Sequence, residues 1–184
     1  MLDAAGSKKL IAGLLTKAKE VRSAFKYSED ERMAPCVIIA AKGGISFVTM
    51  QWRNNAEKYS AMLRVSEVAK ELDAEAVALI SDTRWVKSED FCRYFNVPLP
   101  TKDGMEKFVA EYQRILREHG GEIKKLPRAV WSEAVCVLVK GPGVGPYSIM
   151  ADYVEGPGDT VQYLPDDHES TEIVEAEIIP AWWS

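Results

Sequence analysis

Leu10, Ile11, Leu14, Leu15, Ala18, Val21 and Phe25 recur at spacings of three and four, which predicts an amphipathic helix near the start of the chain. Ser7 is placed to cap it, and Lys9, Lys17 and Glu20 fall on the opposite face. A polar linker, residues 27–32, follows. Residues 35–41 are almost wholly apolar, as in a central strand covered on both sides. Gly43-Gly44 is a hairpin signal, because tight turns need a positive φ. Residues 45–52 then alternate, with Ile45, Phe47 and Thr49 on one side and Val48, Met50 and Trp52 on the other. Asn54 or Asn55 caps a second helix, with Glu57 close behind and Tyr59, Met62, Leu63, Ser66, Ala69 and Leu72 as its buried face. Residues 76–81 make a third apolar strand.

Residues 82–133 break this rhythm. Their first part reads as mostly irregular, with one helical turn after Ser88. Asp103 and Glu106 have the spacing of a capping box ahead of a helix striped by Met105, Phe108, Val109, Tyr112, Ile115 and Leu116. Gly120-Gly121 stops that helix. Strands are predicted at 134–140, 147–155, 160–164 and 172–178, with a loop at 141–146 and turns near 155–159 and 166–169. The expected fold is a single α+β domain over residues 1–184. Its sheet is largely antiparallel, possesses five to seven strands and carries two packed helices; 82–133 form an insertion or subdomain.

Composition narrows the function classes. The 184 residues are 47% apolar and 28% charged, which excludes wholesale disorder and fibrous repeats. The net charge of −5 argues against a nucleic-acid coat, so no nucleic-acid partner is expected. Three cysteines without a C-x-x-C pair make neither a disulfide framework nor a zinc site. No signal-peptide pattern or long apolar span is visible, so a reducing cytoplasm and no membrane contact are expected.

Candidate chemistry is sparse. The 141–146 run, GPGVGP, has glycines but lacks the Lys and hydroxyl of a phosphate loop, and a strand follows it instead of a helix. It reads as a hairpin loop. His119 suits a helix C-terminus. An enzymatic reading would draw on Asp82, at the end of an apolar strand, and on His168 within Asp166-Asp167-His168-Glu169. A metal-assisted hydrolase or small-ligand enzyme could be built on them, with acids near Asp152. The alternatives are a plain strand end and a solvated turn, and neither a metal nor a cofactor is expected.

Charge placement is more informative. Residues 141–184 hold nine acidic residues and no Lys or Arg. Such a field steers a basic partner. Glu172, Glu175 and Glu177 lie on the last predicted strand. Trp182 and Trp183 close the chain, and Trp is a typical interface anchor. These five residues are the expected contacts of a non-enzymatic binding or accessory protein that engages a basic protein or an identical subunit. The stretch 74–85, AEAVALISDTRW, followed by 133–143, EAVCVLVKGPG, resembles a pattern in uncharacterised bacterial and phage proteins. The resemblance implies a prokaryotic or viral setting and brings no activity with it.

Overall fold

A computed structural model describes residues 4–24, 33–157 and 160–170, together with 179 and 181. The chain divides into two compact units, Met1–Asp82 with Val135–Ser184 and Thr83–Ala134. Among the described residues the fold is α+β, with four α-helices and one six-stranded antiparallel sheet in the order β2-β1-β3-β4-β5-β6. The strands are β1 (Cys36–Ala41), β2 (Gly44–Thr49), β3 (Ala74–Val86), β4 (Trp131–Gly141), β5 (Val144–Gly156) and β6 (Thr160–Ser170).

In the first unit each face of the sheet is covered by one helix. Leu14 and Ala18 of α1 (Ala4–Ala24) pack with Cys36, Ile38, Ala76, Ala78, Ile80, Val135, Val137 and Val139. On the other face Met62, Val65 and Ala69 of α2 (Asn55–Glu71) pack with Val37, Ile39, Val77, Leu79 and Leu138. Alternate residues of β1 therefore enter different cores, which is why that run is apolar throughout. A two-residue turn joins β1 to β2, and Gly44 follows it at φ +136°, a conformation L side chains rarely adopt.

Several local expectations need correction. The first helix begins at Ala4, so Ser7 lies inside it; Ala4 and Ala5 are strong helix formers and extend the first turn despite Gly6. In α2, Asn54 is the cap: its side chain accepts from the Glu57 N–H at 2.9 Å, and Glu57 Oε2 accepts from the Arg53 N–H at 2.7 Å. The buried face of α2 is Met62, Val65, Ser66 and Ala69, while Tyr59, Leu63 and Leu72 are exposed. The helix turns its smaller residues inward, towards the sheet.

In the second unit, the helical turn expected after Ser88 is a full helix, α3 (Ser88–Phe95), which ends at Asn96 in the left-handed conformation, φ 53°. Phe91 and Cys92 of α3 are buried with Ile115 of α4 (Met105–Glu118), Leu126 and Val130. The Phe91 ring lies edge-on to Phe108 and Tyr112. Asp103 and Glu106 form no capping box: a 3-10 turn over Lys102–Gly104 precedes α4, and Gly104 takes the N-cap without a side-chain bond. Gly120 and Gly121 close α4 at φ 83° and 78°, as the glycine pair requires.

Candidate functional site

Asp82 is the candidate that the structure surrounds most fully. It lies in the first unit on β3, and its ion-pair partner Arg22 stands in the last turn of α1. Arg22 Nε approaches Asp82 Oδ2 at 3.1 Å, and the two side chains are only 3% and 6% exposed. The Tyr153 hydroxyl on β5 donates to Asp82 Oδ1 at 2.6 Å. Arg22 Nη2 donates to that hydroxyl oxygen at 3.1 Å and to Glu155 Oε1 at 2.8 Å. The guanidinium also lies over the Tyr153 ring, 4.6 Å from its centroid. Glu155 is the member that reaches solvent, with half its side chain exposed.

A second tyrosine extends the cluster. The Tyr163 ring of β6 lies edge-on to that of Tyr153, 6.0 Å away. Its hydroxyl donates to the Lys19 carbonyl at 3.0 Å, and Lys19 Nζ sits 5.3 Å from the ring centroid. Burial pushes the Tyr153 phenol far above its ordinary range, and its bond to the Asp82 carboxylate pushes the same way. Burial likewise raises Tyr163, to about 12. Both phenols are therefore neutral donors at physiological pH. Both oxygens of Asp82 are occupied, one by a cation and one by a phenol. The arrangement ties α1 to β3 and β5 through charge-assisted bonds and to β6 through the neutral Tyr163–Lys19 hydrogen bond.

The remaining candidates lie apart from this cluster. His168 falls on β6, opposite Met150, and Asp166, Asp167 and Glu169 share that strand. The expected turn at 166–169 is thus part of an eleven-residue strand, because pairing with β5 carries β6 on to Ser170. Pro165 is absorbed where the register shifts: the pairs Ala151–Asp167 and Tyr153–Tyr163 leave one residue on β5 facing three on β6. This is a bulge at an edge, where proline is tolerated. Glu172, Glu175, Glu177, Trp182 and Trp183 lie outside the described residues. Close to them in sequence, Ile179 is buried among Met62, Val77 and Leu138, and its carbonyl accepts from Lys140 Nζ at 2.8 Å.

The glycine run at 141–146 is a tight hairpin in which Pro142 and Gly143 make the turn and β5 begins at Val144. Gly141 has a packing reason to be glycine: a Cβ there would stand 2.2 Å from the Glu75 carbonyl oxygen of β3. Cys36 is buried and burial raises its thiol to about 11, so it holds no thiolate at neutral pH. Among the described residues, no group of three or more His, Cys, Asp or Glu is placed to hold a metal ion. None of their helices is long and apolar enough to cross a membrane.

Reasoning from sequence found Asp82 and missed Arg22, Tyr153 and Tyr163. Arg22 did leave a signal. It stands four residues after Ala18, in line with Ile11 and Leu15 on the apolar stripe, and a charge on a buried helical face calls for a buried partner. No known family model, curated protein sequence or solved structure matches this chain.

Proposed function

We propose that this chain is a non-enzymatic binding protein that engages a basic protein partner through its acidic C-terminal segment. One observation carries the reading: a segment with no Lys or Arg and nine acids, of which Asp152 is buried and Glu155 is paired with Arg22, contributes β6, the edge strand among the described residues, with Asp166, Asp167 and Glu169 near its end. A field of one sign at that edge draws cations and repels anions, and needs no added strand to do so. In sequence, Glu172, Glu175 and Glu177 continue the same charge and Trp182 and Trp183 follow as apolar anchors. The non-enzymatic part of the reading is supported by the engagement of both Asp82 oxygens and by the un-ionised thiol of Cys36.

The test is association with a Lys/Arg-rich peptide and with basic proteins of the native host, followed by surface plasmon resonance. Association should be fast and fall steeply with salt, since screening shortens the reach of exposed charge to about 8 Å at physiological ionic strength. Glu175→Gln with Glu177→Gln should lower the on-rate while changing stability by no more than about 0.5 kcal/mol per site. Trp182→Ala with Trp183→Ala should speed dissociation at constant melting temperature. Binding that ignores salt and all four substitutions would refute the proposal.

A further inference from the structure

The sheet has two edges, and they are built differently. β6 carries Pro165, a bulge and three acids, all of which obstruct the addition of another strand. β2 carries none of these. Its six residues pair with β1 in unbroken register from Ala41–Gly44 to Cys36–Thr49. Residues 43–51, GGISFVTMQ, contain no charge and no proline. Every residue of β2 is exposed, including Ile45 at 59%, Phe47 at 45% and Val48 at 41%. β2 pairs on one side with β1, and among the described residues no strand pairs with its other side, which presents the backbone donors and acceptors of an edge.

We propose that β2 is a self-association edge, where a second copy of this chain adds its own β2 in antiparallel pairing and joins the two sheets. The absence of charge selects this occupant. A basic or acidic partner finds no counter-charge between Gly43 and Gln51, whereas an identical strand meets no like-charge repulsion. A two-fold axis perpendicular to the sheet makes the contact isologous, so it closes at a dimer and leaves no free β2. Such an axis keeps each face continuous. Phe47 lies opposite Ile38 of β1, on the side covered by α1, and Ile45 and Thr49 share that side. The pair would therefore bring Ile45 and Phe47 of both copies into one apolar strip, with Val48 on the other face. This inference does not rest on the acidic segment.

Sedimentation equilibrium on the full chain tests it. The wild type should show a reversible, concentration-dependent monomer–dimer equilibrium. Phe47→Lys places like charges across the seam and should weaken dimerisation tenfold or more, with an unchanged melting temperature only at dilutions where both proteins are monomeric. Thr49→Lys, on the same face, serves as the second variant should Phe47→Lys fold poorly. Gln162→Lys, an exposed site on the β6 edge, should leave the dimer unaffected. A wild type that stays monomeric at every concentration overturns the inference. So does a dimer that withstands both β2 substitutions or one that Gln162→Lys dissociates. Binding of the Lys/Arg-rich peptide by the Phe47→Lys monomer separates this edge from the acidic one.

Discussion

Arg22 and Asp82 allow a quantitative test of what the buried cluster does. If it is a structural pin, removing either member should leave the other charge buried and under-compensated, which typically costs about 3–5 kcal/mol. Their environments separate the two substitutions. After Asp82→Ala, Arg22 keeps the half-exposed Glu155 and the Tyr153 hydroxyl, so the loss should sit near the lower bound, about 3 kcal/mol. After Arg22→Met, Asp82 keeps only the Tyr153 hydroxyl among the partners described above, and the loss should approach about 4–5 kcal/mol. Arg22→Met combined with Asp82→Leu removes both charges and fills the space with apolar atoms. Such replacements are often neutral or stabilising, but here the Tyr153 hydroxyl loses its acceptor, at about 1–3 kcal/mol. The double variant should therefore be more stable than either single one.

Urea unfolding at constant m-value measures all four proteins, and the double-mutant cycle isolates the coupling. The coupling should persist in high salt, because buried pairs are poorly screened. Single losses below about 1 kcal/mol that simply add in the double variant would refute the pin, since residues in a shared network are expected to couple. Asp82 would then be a carboxylate that the fold does not need, and the catalytic reading of it would gain ground.

Two further outcomes follow from the same geometry. Gly141→Ala should cost about 1–3 kcal/mol by overpacking, because the added methyl meets backbone of β3 at Glu75 and Ala76 and not a movable side chain; urea unfolding measures it, and an unchanged midpoint would contradict the close approach. The tyrosines set an alkaline limit: with Tyr163 raised to about 12 and Tyr153 raised further, the folded state holds protons that the unfolded state gives up near the ordinary phenol value of 10. Their contribution is complete below pH 10 and is lost as pH rises through about 12, so melting temperature should fall across that window and Tyr163→Phe should flatten the fall.

What was legible in the sequence was whatever a local pattern determines. The uninterrupted apolar run at 35–41 and the Gly43-Gly44 pair mark the β1–β2 hairpin without reference to the rest of the chain. The same holds for Asn54 with Glu57 and for the glycine pair after α4. The failures share a cause in distance. β6 runs through Pro165 and the five polar residues after it because β5 pairs with it, and no window of β6 alone contains that information. Tyr59, Leu63 and Leu72 fit the helical period as well as the true buried face does, and contact with the sheet decides the rotation. Arg22 meets Tyr153 across 131 positions, and Asp82 meets Tyr153 across 71. Asp82 was noticed because it follows the apolar run 76–81, although β3 continues past it to Val86, and its partners could be named only once the strands and α1 were in place.

The difference between the two edges bears on both proposals at once. Pairing of β6 with its own copy would join two strands that each carry Asp166, Asp167 and Glu169, adding like charge along one seam. The bulge at Pro165 breaks the regular ladder that such pairing needs. A partner at that edge must therefore bring positive charge and need not bring a matching strand. At β2 the demands are reversed: there is no charge to recognise, the register is unbroken, and apolar side chains stand on both faces. A partner there must bring a regular strand and need not bring charge. The two edges close opposite ends of the strand order and select different chemistries, so occupation of one leaves the recognition features of the other intact. Self-association through β2 would thus present two acidic β6 edges on one particle, and a basic partner with more than one site would gain avidity without any new contact.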